Sequence, residues 1–162
     1  MSAEILERLR TWLTAENAAF REVHHEATFT SEDSARARGE ELRVGGKALL
    51  MRSGDTFALF VLPADRKADS GAIRRELQAG KKLRFASRDE LLELTGLVPG
   101  SVPPFGEPIL PFPLYLDAAI PENDRIAFNA GSLTDSIILQ MPDYLRLARP
   151  TKIFAFSEVA TA

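Results

Sequence analysis

Ile5, Leu6, Leu9, Trp12 and Leu13 recur at helical spacing with Glu and Arg between them, which predicts a helix over 2–17. The next segment, Phe20 to Glu26, alternates in polarity and predicts a short strand. Thr30-Ser31-Glu32-Asp33 supplies a capping hydroxyl and an acidic first turn, and Gly39 stops the helix between them. The pattern then changes. Gly45-Gly46-Lys47-Ala48-Leu49-Leu50-Met51 and Thr56-Phe57-Ala58-Leu59-Phe60-Val61-Leu62 are apolar runs joined by Ser53-Gly54-Asp55, a hairpin over about 44–62. Neither run alternates, so both faces are expected to be covered, as in a central strand.

Pro63 ends the second run, and Ala64 to Ala68 reads as a polar connection. Asp69 or Ser70 caps a helix through Leu77, with Gly80 expected to close it. Leu83 to Ala86 predicts a strand, and Ser87-Arg88-Asp89-Glu90 is a capping box for a helix ending by Gly96. A Pro/Gly-rich loop follows over 98–113. Strands are predicted at Leu114–Ile120, Arg125–Asn129 and Asp135–Leu139, with bends at 121–124 and 130–132. Pro142 at a first helical position opens a helix to Ala148, and Ile153–Phe156 predicts a last strand. Hairpins mixed with single helices predict an α/β (α+β) fold: a curved, mixed, mostly antiparallel sheet with surrounding helices. The 162 residues suit one domain over 1–162, its core at about 20–156 and its first helix outside that core.

Composition narrows the chemistry. Apolar residues at 45% and charged residues at 27% are globular values and argue against disorder. The absence of cysteine removes disulfides, thiolate metal sites and a Cys nucleophile. The first residues lack a signal-peptide pattern and no apolar run is long enough to span a bilayer, so a soluble, cytoplasmic protein without membrane contact is expected. Between Arg36 and Arg84 there are 12 Lys/Arg against 6 Asp/Glu, and elsewhere 8 against 17. This asymmetry inside a net charge of −3 fits either a polyanionic partner or a solvated face.

Several chemistries drop out. Gly45-Gly46-Lys47 is no phosphate loop, because Glu41 and Ala48 stand where that pattern needs Gly and Ser/Thr. His24 and His25 point to opposite faces of a strand and cannot jointly hold a metal, so structural or surface roles are expected for both. No metal or cofactor is called for. Asp117, alone on its strand, is expected to be exposed on the polar face. A serine esterase using Ser132 or Ser136 lacks the G-x-S-x-G elbow.

Three features remain. Lys47, at the entrance of the apolar hairpin, must snorkel to solvent, pair with an acid, or face a cavity that holds an anion. Gly100-Ser101-Val102-Pro103-Pro104-Phe105-Gly106 reads as a stiff, exposed loop with free N–H groups from Gly100 to Val102. Phe128-Asn129-Ala130-Gly131-Ser132-Leu133-Thr134-Asp135 concentrates polar residues at a bend between strands, where turn chemistry alone also favours them.

In this order, the three resemble the YbaK/ProX family of free-standing aminoacyl-tRNA deacylases, related to the editing domain inserted in bacterial prolyl-tRNA synthetases. The resemblance covers about residues 20–156. The family's strand lysine matches Lys47, its G-x-x-x-P loop matches Gly100 to Pro104, and its late strand-turn matches Asn129 to Ser132. Relatives often have His or Ser where this chain has Asn129. The resemblance implies trans-editing: hydrolysis of the ester of a mischarged tRNA carrying a small amino acid, without cofactor. Lys47, Gly100, Ser101 and Pro104 would then be catalytic. Val102, Asn129, Gly131, Ser132 and Asp135 would bind substrate. The implied partners are the aminoacyl-tRNA 3′ end and a synthetase such as prolyl-tRNA synthetase. The alternative is a catalytically silent module that binds the tRNA 3′ end or a synthetase.

Overall fold

The computed structural model describes residues 2–160; Met1, Thr161 and Ala162, within the expected span 1–162, lie outside the described residues. The chain runs α1 (Ser2–Ala15), β1 (Phe20–His24), α2 (Ser31–Arg38), β2 (Gly46–Ser53), β3 (Thr56–Pro63), β4 (Arg66–Ala68), α3 (Ser70–Leu77), β5 (Leu83–Phe85), α4 (Arg88–Thr95), β6 (Leu114–Asp117), β7 (Arg125–Asn129), β8 (Asp135–Gln140), α5 (Met141–Ala148), β9 (Lys152–Phe154) and β10 (Ser157–Val159). The strands form a mixed α/β fold in three sheets, ordered β5-β2-β3-β6-β9, β1-β8-β7 and β10-β4. Their ladders are antiparallel except at β3–β6 and β6–β9. A bridge between Gly45 and Ala127 joins the two larger sheets. Among the described residues no helix is long and apolar enough to cross a membrane.

The hairpin explains its own lack of alternation. On β3, Leu59 and Val61 enter the main core with α1, β7, β8 and α5, while Phe60 and Leu62 enter a second core with Ile73 and Phe156. Successive side chains of one strand thus fill opposite layers, and both layers are apolar. The glycine pair before Lys47 serves this packing. A Cβ on Gly45 would lie 2.9 Å from that of Ala64, and one on Gly46 would overlap Ile126. The two sheets cross closely there, which leaves room for glycine alone.

Local signals placed α2 and α4 well. Thr30 accepts from the Asp33 N–H at 3.0 Å, Gly39 ends α2 in the left-handed region at φ 70°, and Ser87 with Glu90 forms the capping box. Other boundaries differ. The first helix stops at Ala15, β1 at His24 and β6 at Asp117. Gln78 rather than Gly80 ends α3, and Pro142 is the second residue of α5. The polar connection contains β4, whose partner β10 follows the last predicted strand.

Asp117 is not exposed. It is buried, and its carboxylate accepts from the N–H groups of Ala119 and Phe156 and from the Ser157 hydroxyl. The ligands sit at a strand end where backbone N–H groups would otherwise lack partners.

Candidate functional site

The loop between α4 and β6 is only partly exposed, contrary to expectation. Val98, Pro99 and Gly100 face solvent, but Ser101 to Gly106 are buried. Phe105 anchors it, its ring in edge contact with Trp12, Phe128 and Tyr144 at centroid distances of 5.2, 5.6 and 5.2 Å. The Tyr144 hydroxyl donates to the Pro104 carbonyl at 2.8 Å. The Pro-Pro pair therefore points into the core and presents Gly100 at the surface, with φ 88°.

Of the expected free N–H groups, that of Ser101 turns back to Val98 O at 3.1 Å. Those of Gly100 and Val102 donate to no described residue.

A cleft of about 410 Å³ opens between this loop, β2 and the segment leading into α2. Lys47, Gly100, Val102 and Asn129 line it. Ser101, Pro104, Gly131, Ser132 and Asp135 do not. The Ser101 hydroxyl donates to Val98 O, and the Ser101 carbonyl accepts from the Gly131 N–H at 2.9 Å, tying loop to bend. The Ser132 hydroxyl donates to Asp135 Oδ2 at 2.9 Å, and His24 Nδ1 lies 2.8 Å from Asp135 Oδ1. Burial acts to raise the Asp135 carboxyl, but hydrogen bonds from His24, Thr134 and Ser132 hold it below its ordinary value. This cluster closes the bend and leaves the cleft to others.

Lys47 is half-buried, and its ammonium makes no hydrogen bond to a described residue. Burial brings its ammonium below the ordinary lysine value, with Asp65 and Glu32 opposing at longer range. It lines the cavity and forms no ion pair with an acid among the described residues, the arrangement the third of its three roles requires.

Sequence reasoning missed Arg38. It lies in the cleft wall, is 8% exposed, and has no carboxylate in contact among the described residues. Its guanidinium donates to Ser136 Oγ at 2.9 Å and to Asn129 Oδ1 at 3.0 Å. Burial, opposed by Glu40, lowers it to about 10, so it stays charged at neutral pH. Ser136 Oγ also donates to Asn129 Oδ1 at 3.2 Å, and His25 Nε2 lies 2.8 Å from it. Two donors on one oxygen fix which way the Asn129 amide faces. Its Nδ2 then donates to Gly100 O at 2.8 Å and keeps a second N–H to offer.

A carboxylate in place of that amide would set an anion against the Gly100 carbonyl while gaining Arg38 as counter-ion. Asn129→Asp is therefore expected to lower turnover of the substrate about 10–100-fold with little change in melting temperature. Steady-state kinetics beside thermal unfolding checks it.

The arrangement can bind an anion and present N–H donors to a developing oxyanion. A family model described as an aminoacyl-tRNA editing domain matches residues 25–147. The multifunctional Ser/Thr-tRNA deacylase ProXp-y of Escherichia coli (strain K12) is 40% identical over 150 residues, covering 89% of this chain and 88% of that protein. A proline–tRNA ligase of Shouchella clausii is 34% identical over 102 residues, 63% of this chain and 18% of that longer protein. A crystal structure of a candidate trans-editing enzyme for prolyl tRNA synthetase superposes with a TM-score of 0.82 at 25% identity, covering 95% of this chain and 97% of that one.

Proposed function

The chain belongs to the aminoacyl-tRNA editing domain family, and from that footing we propose that it is a trans-editing deacylase that frees serine or threonine from mischarged tRNA. The observation that carries the reading is the Lys47 ammonium, unpaired among the described residues, in a cleft whose other wall holds the Gly100 and Val102 N–H groups, which donate to no described residue.

An aminoacyl ester is already activated, so held water and donors for the oxyanion suffice for its hydrolysis. Lys47 takes the terminal phosphate or the acyl oxygen. The Gly100 and Val102 N–H groups face the acyl carbonyl, and the free N–H of Asn129 orients the aminoacyl group or the water. The ribose hydroxyl beside the ester relays the proton, taking one from the attacking water as it hands its own to the departing ribose oxygen. Water adds to the carbonyl carbon, the ester C–O bond breaks, and the ribose oxygen leaves with a proton. Ser101, Pro104, Gly131, Ser132 and Asp135 act from behind, by holding loop and bend in place.

Selection is by size. A side pocket of about 140 Å³ shares Ala48, Leu49, Gly100 and Val102 with the cleft and is lined further by Leu50, Leu91 and the exposed Phe85. It takes a small aminoacyl side chain and turns larger ones away. The name of the Escherichia coli relative narrows this to serine and threonine. The supplier of substrate is a synthetase, with prolyl-tRNA synthetase first among those to try, and the setting is the cytoplasm.

The test is a panel of tRNAs charged with alanine, serine, threonine, cysteine and phenylalanine. Seryl- and threonyl-tRNA are expected to lose their amino acid at least about tenfold faster than without protein, and phenylalanyl-tRNA at the background rate. Binding of the tRNA 3′ end with no release of any amino acid would instead make this a silent binding module.

A further inference from the structure

Phe29 is 80% exposed, yet it lines the mouth of the cleft that holds Lys47, Gly100 and Asn129. Slack backbone does not account for this. On one side Thr28 is buried, its N–H bonded to Leu133 O at 3.1 Å and its hydroxyl 2.8 Å from that of Ser34. On the other side Thr30 caps α2. Two pinned neighbours hold the phenyl ring out in water, where its apolar faces gain nothing from the protein's own core.

A displayed aromatic ring is what a nucleobase stacks on, whatever the base. The rest of the cleft suits the remainder of a nucleotide. Lys47, Arg38 and the exposed Arg88 give it three cations, and among described residues neither Lys47 nor Arg88 hydrogen-bonds to a carboxylate. A phosphate beside a base meets cation and aromatic together. A protein partner would be served by a wider apolar patch, whereas the residues flanking Phe29 are threonines and a serine.

We propose that Phe29 seats the base of the terminal nucleotide of tRNA, stacked on its ring while Lys47 meets the phosphate and the ester reaches Gly100. The assignment rests on the reading of this cleft as the aminoacyl-tRNA site.

The experiment compares adenosine monophosphate with ribose 5-phosphate, which carries the same phosphate and sugar without the base. Dissociation constants come from NMR titration, which needs no turnover, for the parent protein and for Phe29→Ala, Phe29→Leu and Phe29→Tyr. The parent is expected to prefer the nucleotide. Phe29→Ala and Phe29→Leu should weaken nucleotide binding about tenfold while leaving ribose 5-phosphate unchanged, and Phe29→Tyr should keep the preference. Leucine separates stacking from mere greasiness.

Three results would overturn the assignment: a parent protein indifferent to the base, a nucleotide constant unmoved by Phe29→Ala, or equal losses for both ligands. The last two would make Phe29 a protein-facing or structural residue. Hydrolysis of threonyl-tRNA by the parent is scored separately. Its absence would sink the deacylase reading and leave the titrations to decide on Phe29.

Discussion

Lys47→Ala should lower kcat/KM on threonyl- or seryl-tRNA by about 100-fold or more while the circular dichroism spectrum and melting temperature stay near those of the parent. The asymmetry follows from where the side chain sits. It lies on β2 at the start of a fully paired ladder with β3, so the backbone is held whatever the residue. Its ammonium makes no hydrogen bond to a described residue, so removal leaves no orphaned acceptor. The charge is therefore spare to the fold, and on the proposed reading the ligand needs it. Lys47→Arg should recover part of the loss, because the charge returns with a different shape.

The pH profile supplies a second readout of the same group. Burial lowers the Lys47 ammonium below its ordinary value, so the enzyme-dependent rate should fall as pH rises through that lowered value. Lys47→Arg should shift this alkaline limb upward, since a guanidinium keeps its proton. Parent-like rates from Lys47→Ala across the substrate panel would remove the lysine from the mechanism.

Phe105→Ala is expected to be the most damaging change to the fold, at about 3–5 kcal/mol, with the melting temperature down by roughly 10 °C. The ring is fully buried and touches Trp12 of α1, Phe128 of β7 and Tyr144 of α5. Its loss opens a cavity where helices and sheet meet. It also frees the loop that carries Gly100, so activity measured well below the melting temperature should drop about 10–100-fold. Phe105→Leu fills more of the space and should recover most of the stability. Denaturant unfolding and single-turnover deacylation together check both halves. A stable Phe105→Ala protein with intact activity would show that the loop holds itself.

The hairpin, the capped helices and Lys47 were legible because each depends on residues close in sequence: an apolar run, a cap, a cation beside a glycine pair. The β4–β10 ribbon was not. Its two strands are three residues each, rich in charge, and meet only after 88 intervening residues (69–156) have folded between them. The burial of Ser101 to Gly106 was hidden by the prolines, although Val102, Phe105, Ile109 and Leu110 already gave that loop too much apolar surface for open solvent.

Arg38 is the instructive miss. In Ser31–Arg38 it is one of two arginines, and charge alone marks both as exposed. The usable signal lay in spacing: Ser34, Ala35 and Arg38 share a face, and the first two are small enough to let that face approach a sheet. Ser101 and Asp135 fail the other way. Their residue types suit chemistry, but their hydrogen bonds are spent within the loop, within the bend and on His24 of β1.

The polar shell behind Asn129 constrains how such an enzyme changes its substrate over evolution. On the proposed reading Asn129 faces the aminoacyl group, yet its oxygen is the acceptor that a buried guanidinium depends on. A swap to an apolar residue would strand Arg38 with one polar side chain, Ser136, and the distant Ala127 carbonyl at 3.5 Å. An apolar side chain at 129 is therefore expected to need compensating changes at 38 and 136, and the single-step intermediate to be the less stable one. Epistasis is built into the wall.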